Sequence, residues 1–385
     1  MIKQLINIIG GFTLRIVLRL FYIFKINHKR VLFVAYEGRQ YSCNPKYIFE
    51  YLYKNHKEDY ELVWCLNDEN NLPKQYDNVK IVKHYSLLYF YYALTSKYFI
   101  SNLAIDPILP KRKQQVFINT WHGSGAYKRV SSNVKLYNKQ SDFLMNIPYK
   151  WRSKSTSVII SGCEKFTNVM SQDFRISSSK FIPIGLPRND LFFKENEAIT
   201  KKVYDYFDIS NDKSIVLYAP TFRGNHRNPE KFPIDIDITL LIESLNLKFN
   251  KEFVFLKRSH KNLSNTSLDI NAVDASDYPD MQELLYASDI LITDYSSSMW
   301  DFSLTNKPCF IYAPDLEKYQ KTRSFYTPVN EWPFSVSINN KQLIKNVECF
   351  DNKMYLKQIT KHHQDLGSFE SGKATELFVK KIFKD

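Results

Sequence analysis

Polar and cationic side chains directly follow four apolar segments that have the composition of buried strands. These post-strand segments are residues 120–125, 219–225, 258–261 and 294–298. Together they hold two histidines, several cations and a cluster of hydroxyl groups. Because ligands of an open parallel sheet bind at the edge where its strands end, we expect the four segments at ligand-binding edges. The spacing therefore predicts a cleft that handles phosphate groups.

The densest of these segments is the serine turn, residues 294–298, with the sequence Asp-Tyr-Ser-Ser-Ser. A short apolar run precedes it, and a helix is predicted from Met299 onward. Free N–H groups and hydroxyls at a helix start form a site for an anion such as phosphate. A simple helix cap, made by Asp294 or by a serine, is the alternative that the residue types leave open.

Two histidines are distinguished by their neighbours. His122 is followed by Gly123 and Gly125, which let a ligand or another backbone approach closely. His260 lies between cations, which favour a neutral ring that can serve as a base or an anion ligand. The patterns GxSxG, GxxxxGK[ST], GxGxxG, HExxH and CxxC do not occur. Their absence disfavours a serine hydrolase, a nucleotide-driven motor, a dehydrogenase and a protein-held metal. We therefore expect no metal held by the protein and no cofactor, and a metal requirement of the reaction stays open.

Composition bounds the class of protein. A length of 385 residues indicates two domains, and a hydrophobic content of 44% is enough for packed cores. Five scattered cysteines without paired spacing fit a reducing cytoplasm. A net charge of +13 predicts an anionic partner, which is nucleic acid, an anionic membrane surface or a phosphorylated substrate.

Short apolar strands alternate with helical segments along the chain, which predicts an α/β fold with two doubly wound parallel sheets. We assign residues 1–28 to a membrane-associating segment, 29–200 to an N-terminal Rossmann-like domain and 201–385 to a C-terminal one. Two domains of this kind are expected to hold their ligands in a cleft between the carboxyl ends of their strands.

Residues 1–30 are both basic and very apolar, and no acidic residue precedes Glu37. The longest uncharged run, residues 4–14, is shorter than the roughly 20 residues that span a bilayer. No small-residue cleavage site follows, so a secretory signal is not expected. The segment is predicted to be an amphipathic helix lying in the membrane interface. A buried first helix with a few solvent-reaching cations is the alternative.

Five short motifs occur in an order that resembles the CDP-glycerol glycerophosphotransferases, the teichoic acid primases and polymerases of bacterial cell-wall synthesis. The motifs are YSCNPKY at 41–47, TWHG at 120–123, YAPTFR at 218–223, SH at 259–260 and TDYSS at 293–297. The resemblance extends from about residue 31 to residue 326, and the combination is far more specific than any single motif.

The resemblance implies a GT-B-like arrangement of two Rossmann-like domains, in which the C-terminal one binds the CDP-linked donor and residues 29–200 form the acceptor side. It implies peripheral, monotopic attachment to the cytoplasmic face of the cell membrane, as the composition of residues 1–28 does independently. It also implies two catalytic histidines, His122 as the base for the acceptor hydroxyl and His260 at the donor phosphates. The implied donor ligands are Thr221, Arg223, Ser259, Asp294, Ser296 and Ser297. The implied acceptor-side candidates are Asn44, Lys46, Trp121, Gly123 and Lys128.

Three stretches depart from the family pattern. Residues 124–128, Ser-Gly-Ala-Tyr-Lys, replace the usual Thr-Pro-Leu-Lys, which leaves the acceptor open. Ser324 replaces a glycine in the late Arg-Gly-Phe-Tyr motif, and Ser371 replaces the aspartate of the Asp-Gly-Lys-Ala ending. These two changes leave open whether the donor carries a glyceryl or a ribityl group.

The expected reaction is attack by an acceptor hydroxyl on the distal phosphorus of CDP-glycerol, with release of CMP. The acceptor is expected to be a membrane-associated glycan or teichoic acid, and the lack of a long N-terminal extension favours a primase-like single addition. One alternative is a polymerase, or a ribitol-phosphate, capsular polyol-phosphate or sugar transferase of the same fold. A second is a non-catalytic basic protein that binds lipid or nucleic acid, and the lack of a basic stripe disfavours nucleic acid.

Overall fold

Two parallel sheets with helices packed against them form the core of the described chain. The computed structural model describes residues 2–76, 78–129, 139–221, 223–225, 228–230, 236–259, 272–322 and 324–383. The predicted fold class, α/β with two doubly wound sheets, is confirmed.

The first half of the chain alternates between strands and helices. Its elements are α1 (Ile2–Val17), β1 (Asn27–Val34), α2 (Cys43–His56), β2 (Glu61–Cys65), β3 (Lys80–Val82), α3 (Leu87–Thr95), β4 (Ser96–Ser101), β5 (Val116–Asn119), α4 (Lys139–Ser155), β6 (Val158–Ser161), α5 (Glu164–Asp173) and β7 (Phe181–Pro183). The sheet order is β3-β2-β1-β4-β5-β6-β7, and all pairs are parallel. The order reverses direction between β1 and β4, which makes this the switch point of the sheet.

The second half repeats the pattern. Its elements are α6 (Glu197–Phe207), β8 (Ser214–Tyr218), β9 (Arg223–Asn225), β10 (Asn228–Glu230), α7 (Ile238–Phe249), β11 (Phe253–Lys257), β12 (Ala272–Asp274), α8 (Met281–Ala287), β13 (Ile290–Thr293), α9 (Ser298–Ser303), β14 (Cys309–Tyr312), α10 (Leu316–Thr322), β15 (Ser335–Ser337), α11 (Asn340–Glu348), α12 (Asn352–Asp365) and α13 (Ala374–Ile382). The main sheet has the order β12-β11-β8-β13-β14-β15, with all pairs parallel. Its switch point lies between β8 and β13.

The described residues divide into two compact units. Unit 1 comprises those within Met1–His122, Val130–Asp190 and Phe369–Asp385, and unit 2 comprises those within Gly123–Arg129 and Leu191–Ser368. These compact units are discontinuous in sequence, whereas the predicted domains are continuous and meet at residue 200. The domain bounds therefore stay a prediction. Helix α13 belongs to unit 1 because Phe378, at its centre, is buried in the same apolar cluster as the sheet residue Phe33.

Aromatic packing accounts for much of the core of unit 1. The Phe33 ring of β1 lies 5.5 Å from the rings of Phe49 in α2 and Trp64 in β2. All three side chains are fully buried. Each large apolar side chain removed from water in this way contributes about 1.5–3 kcal/mol, which offsets part of the entropy lost on folding.

The N-terminal helix continues beyond α1 as a 3₁₀ turn, Leu18–Ile23. The stretch Ile6–Ile23 is long and apolar enough to cross a membrane, judged by length and composition, and only 6% of it is buried. The expectation that this segment is too short to span is therefore wrong on length. Arg15 nevertheless joins the helix to the rest of unit 1, since its Nη1 donates to the carbonyl oxygens of Pro107 at 2.6 Å and Leu109 at 2.8 Å.

Candidate active site

The switch point of the first sheet is closed by Asn102, which directly follows β4. Its backbone N–H donates to the carbonyl oxygen of Val34 at 3.4 Å, and its Oδ1 accepts the N–H of Tyr36 at 2.9 Å. Asn102 therefore joins the ends of the two strands between which the sheet reverses direction.

His122 lies beside this junction, three residues after β5. Its Nδ1 is 2.9 Å from the carbonyl oxygen of Asn102. Because a carbonyl oxygen only accepts hydrogen bonds, Nδ1 carries a proton, and in the neutral form of the ring the lone pair is then on Nε2. The rings of Trp121 and Tyr36 flank the imidazole, with centroids 4.4 and 5.9 Å away. A neutral imidazole oriented through Nδ1 is the arrangement that a general base requires.

The backbone before His122 is strained and firmly held. Trp121 has φ of +52°, a left-handed conformation that costs an L-residue of order 1–3 kcal/mol. The side-chain amide of Asn44 donates to the carbonyl oxygens of Thr120 at 3.1 Å and Trp121 at 3.0 Å. Asn119 Oδ1 accepts the Trp121 N–H at 2.8 Å. Asn44, an acceptor-side candidate from the sequence, thus supports the histidine through the backbone.

Arg188, which the sequence analysis missed, completes this support. It is buried, its Nη1 donates to the carbonyl oxygen of His122 at 2.9 Å, and its backbone N–H donates to Asn44 Oδ1 at 3.1 Å. Both the residue before the candidate base and the base itself are therefore clamped through their carbonyl groups.

The other acceptor-side candidates differ in their surroundings. Lys46 is buried in unit 1, with its Nζ 5.1 Å from the ring centroid of Tyr47. Gly123 and Lys128 belong to unit 2, where Lys128 forms an antiparallel bridge with Phe325. Among the five candidates, Asn44 and Trp121 thus lie beside His122 through their contacts, and Gly123 follows it directly in the chain.

The switch point of the second sheet joins the serine turn to the segment after β8. Asp294 Oδ1 accepts the N–H of Thr221 at 2.8 Å, and the Thr293 hydroxyl donates to the carbonyl oxygen of Ala219 at 2.7 Å. Among the described residues, Thr221 Oγ1 is buried and has no hydrogen-bond partner. The predicted donor ligands Thr221 and Asp294 therefore lie together at the position where such sheets bind ligands.

Arg223 is held by two carboxylates. Its Nε and Nη2 donate to Asp315 at 2.7 and 3.0 Å, and its Nη1 lies 2.7 Å from Asp294 Oδ2. The rings of Tyr295 and Tyr319 flank the guanidinium, with centroids 4.9 and 5.2 Å away. Burial alone lowers the pKa of Arg223, but the Asp315 hydrogen bonds and the Asp294 charge outweigh it and raise the pKa. Arg223 thus stabilises the serine turn through its ion pair with Asp294.

The serine turn differs in one respect from its prediction. Helix α9 is only six residues long, and the N–H groups of Ser298, Met299 and Trp300 donate within the turn, to Ser296 Oγ, Ser296 O and Ser297 O. These three of the expected N–H groups are therefore already used, and one of them is bonded to the Ser296 hydroxyl. The hydroxyls of Ser296 and Ser297 can serve a ligand, because both residues are partly exposed.

The segment after β11 is described only to Ser259, whose N–H donates to Ser276 Oγ at 3.0 Å. His260, predicted to contact the donor phosphates, lies outside the described residues.

Three residues of these sites, Asn102, Arg188 and Asp315, were missed from the sequence. Each follows a strand, β4, β7 and β14 in turn, so the rule that found the four post-strand segments applies to them as well. Their residue types carried no further signal, because none belongs to a motif that the sequence analysis used.

Two Rossmann-like parallel sheets, one with an oriented histidine and the other with a hydroxyl-rich turn at its switch point, define the class of GT-B-like transferases. Within that class, the chain belongs to the family described as CDP-glycerol:poly(glycerophosphate) glycerophosphotransferase, whose model matches residues 16–384. The predicted family and enzyme class are thereby confirmed.

Curated relatives and solved structures agree with this assignment. The chain is 30% identical to a teichoic acid poly(glycerol phosphate) polymerase of Bacillus spizizenii, over 95% of both chains. It is also 30% identical to a teichoic acid glycerol-phosphate transferase of Staphylococcus aureus, covering 93% of this chain and 94% of the relative. Two other polymerase relatives are longer, and the chain spans about half of their length. The structure of the wall teichoic acid polymerase TagF matches with a TM-score of 0.82 and 25% identity, over 100% of this chain and 97% of that one.

Proposed function

We propose that the protein transfers glycerol phosphate from CDP-glycerol to a hydroxyl group of a membrane-associated teichoic acid or related glycan, releasing CMP. The observation that carries the proposal is the geometry of His122, whose Nδ1 bond to the Asn102 carbonyl leaves the lone pair on Nε2. Family membership supplies the donor, and the oriented imidazole supplies the base that such a transfer needs.

In the proposed reaction, the acceptor oxygen attacks the distal phosphorus of CDP-glycerol. His122 Nε2 takes the proton of the attacking hydroxyl, and the bond between that phosphorus and the bridging oxygen breaks. The electron pair leaves with CMP. A well-placed base of this kind contributes about 10²–10⁴-fold to the rate.

The donor phosphates are proposed to bind at the second switch point. The hydroxyls of Thr221, Ser296 and Ser297 would donate to phosphate oxygens, together with Ser259 after the neighbouring strand. His260, the next residue in the sequence, is proposed as a further phosphate contact. Arg223 acts through Asp294, because its guanidinium already holds two carboxylates. Hydrogen bonds to an ionised phosphate are worth more than bonds between neutral groups, so a few hydroxyls are enough to bind the donor.

The N-terminal segment is proposed to hold the protein at the cytoplasmic face of the cell membrane as a peripheral, monotopic attachment. Its exposed apolar side chains include Ile6, Ile9, Phe12, Ile16, Leu20 and Ile23. The bond from Arg15 to the folded unit favours a helix that lies along the surface, since a spanning helix would separate from that unit. We propose an anionic membrane surface as the partner of the basic N-terminal segment, and we propose no nucleic acid partner.

The number of glycerol phosphate units added is the remaining question. The length of the chain favoured single addition, but a relative named as a polymerase aligns over 95% of both chains, so length does not separate the two activities. Both activities use the same donor and the same bond-forming step.

The test is incubation of purified protein with CDP-glycerol and defined lipid-linked acceptors, with released CMP measured and products weighed by mass spectrometry. CMP release with a product heavier by one unit supports a primase-like transferase, and a ladder supports a polymerase. CDP-ribitol used in preference to CDP-glycerol, or no CMP release from either donor, would overturn the proposal.

A further inference from the structure

The chain passes from unit 1 to unit 2 at the peptide bond after His122. The next seven residues, Gly123–Arg129, belong to unit 2, and we call them the strap. Most of the departure from the family pattern after the WHG motif lies within the strap.

The strap is bonded along its length to the segment that follows α10. The N–H of Arg129 donates to the carbonyl oxygen of Ser324 at 2.9 Å, and the N–H of Tyr326 donates to that of Tyr127 at 2.7 Å. The Thr327 hydroxyl donates to the carbonyl oxygen of Ala126 at 3.1 Å. These bonds give the strap one register within unit 2.

Tyr127 anchors the centre of the strap through its side chain. The ring is buried, and its hydroxyl lies 2.9 Å from Nε2 of His362 in α12, with the two rings nearly parallel at 8°. Burial lowers the pKa of His362 to about 4, so its ring is neutral in the working range of an enzyme. Nε2 of the neutral ring accepts the tyrosine O–H in one tautomer and donates to the tyrosine oxygen in the other, so Tyr127 and His362 form a buried hydrogen-bonded pair in either case.

The strap approaches helix α9 directly and the serine turn through Phe325. Gly125 has φ of +75°, and a Cβ at this position would meet Trp300 Cε3 of α9 at 2.9 Å. Phe325, which bridges to Lys128, packs against Tyr295 of the serine turn with ring centroids 5.7 Å apart. Movement of Gly125 toward α9 is therefore limited by Trp300, and movement of Phe325 would disturb its packing against Tyr295.

We propose that the strap couples the state of the serine turn to the placement of His122, with Tyr127 and His362 as positioning residues. The strap begins at the residue after the candidate base, so a change in its register is carried to His122 through one peptide bond. This inference rests on the proposed function, because it makes donor binding at the serine turn order the chain next to the base.

The test compares Tyr127→Phe, His362→Ala and His362→Gln with Tyr355→Phe. Tyr355 is a matched control, because it is also buried on α12 and its hydroxyl donates to the carbonyl oxygen of Lys307 at 2.8 Å. Tyr127→Phe and His362→Ala are expected to lower kcat about 3- to 10-fold, the value of one lost buried hydrogen bond, with KM for CDP-glycerol unchanged within about 2-fold. His362→Gln retains an acceptor and should recover most of the loss, whereas the control should leave both constants unchanged.

Hydrogen–deuterium exchange provides a readout that does not depend on turnover. Without ligand, peptides covering residues 120–129 should exchange faster in Tyr127→Phe than in wild type or Tyr355→Phe. CDP-glycerol should slow their exchange in wild type and less so in Tyr127→Phe. Equal exchange and equal kcat in Tyr127→Phe and Tyr355→Phe would overturn the strap proposal. A different outcome is that wild type neither turns over CDP-glycerol nor changes its exchange on adding it, while Tyr127→Phe without ligand still exchanges faster than wild type. That outcome would overturn the proposed function and leave the anchoring role of Tyr127 established.

Discussion

Substitution of Asp315 by asparagine tests whether the serine turn depends on the carboxylates around Arg223. The change keeps the shape of the side chain and removes the charge that pairs with the guanidinium at 2.7 and 3.0 Å. The Arg223 side chain is buried, at 8% exposure, and the Asp315 side chain is partly buried, at 13%. Breaking a buried ion pair costs about 3–5 kcal/mol, and Asp294 retains part of the compensation here, so we expect a loss of about 2–3 kcal/mol.

This loss should appear as a fall in Tm of roughly 5–10 °C by differential scanning fluorimetry. The freed turn should also bind the donor less well, with KM for CDP-glycerol about 10-fold higher, or about 1.4 kcal/mol of binding. Asp365→Asn is the control, because that side chain is 60% exposed and its pair with Lys361 is 3.5 Å long. An exposed pair of this kind contributes little, so Tm and KM should stay unchanged.

The same substitution predicts a pH dependence. Burial raises the pKa of Asp315, but its hydrogen bond and charge interaction with Arg223 outweigh burial and lower the pKa. A carboxyl whose pKa is lower in the folded state contributes stability above its unfolded pKa of about 3.9, and this is lost as the pH falls further. Between about pH 5 and pH 3, Tm of Asp315→Asn should therefore fall less than that of wild type. Parallel pH profiles, or a wild-type KM in the variant, would refute the assigned role of Asp315.

Three further predictions concern other parts of the molecule. Replacing Ser296 and Ser297 together by alanine should raise KM for CDP-glycerol about 10-fold or more, and steady-state kinetics with an unchanged KM would reduce the serine turn to a helix cap. Arg188→Met should lower kcat about 10-fold at constant donor KM, because the clamp on the carbonyl of the candidate base is lost; a change in KM alone would contradict this. Leu20→Glu should weaken sedimentation with anionic vesicles about 5-fold or more, whereas Leu247→Glu, at an even more exposed site in unit 2, should not; equal binding by both variants would argue against the N-terminal segment.

The positions of most strands along the chain could be predicted because strand and helix signals are local. Apolar runs such as 290–293 and 309–312 are bounded by turn residues, and both appear as strands at these positions. Strand β15, helix α10 and the hairpin of β9 and β10 were not predicted. They are short, and their sequences lack a clear apolar period, so tertiary contacts decide them.

The candidate site was predictable in its residue types but only partly in its bonding. The position of His122 after a strand follows from sequence, whereas its Nδ1 bond depends on where Asn102 ends the neighbouring strand. Arg223 was expected to bind phosphate directly, and its commitment to Asp315, 92 residues away, has no local signal. Residues distant in sequence meet only in the folded sheet, so their hydrogen bonds are beyond pattern analysis.

The central claim is that His122 is the base for the acceptor hydroxyl, and His122→Ala tests it most directly. With a saturating lipid-linked acceptor, the variant should release CMP at least about 100-fold more slowly than wild type, while its Kd for CDP-glycerol by calorimetry stays within about 3-fold. His56→Ala, a change at an exposed histidine at the end of α2, should retain full activity. Wild-type CMP release by His122→Ala would contradict the account.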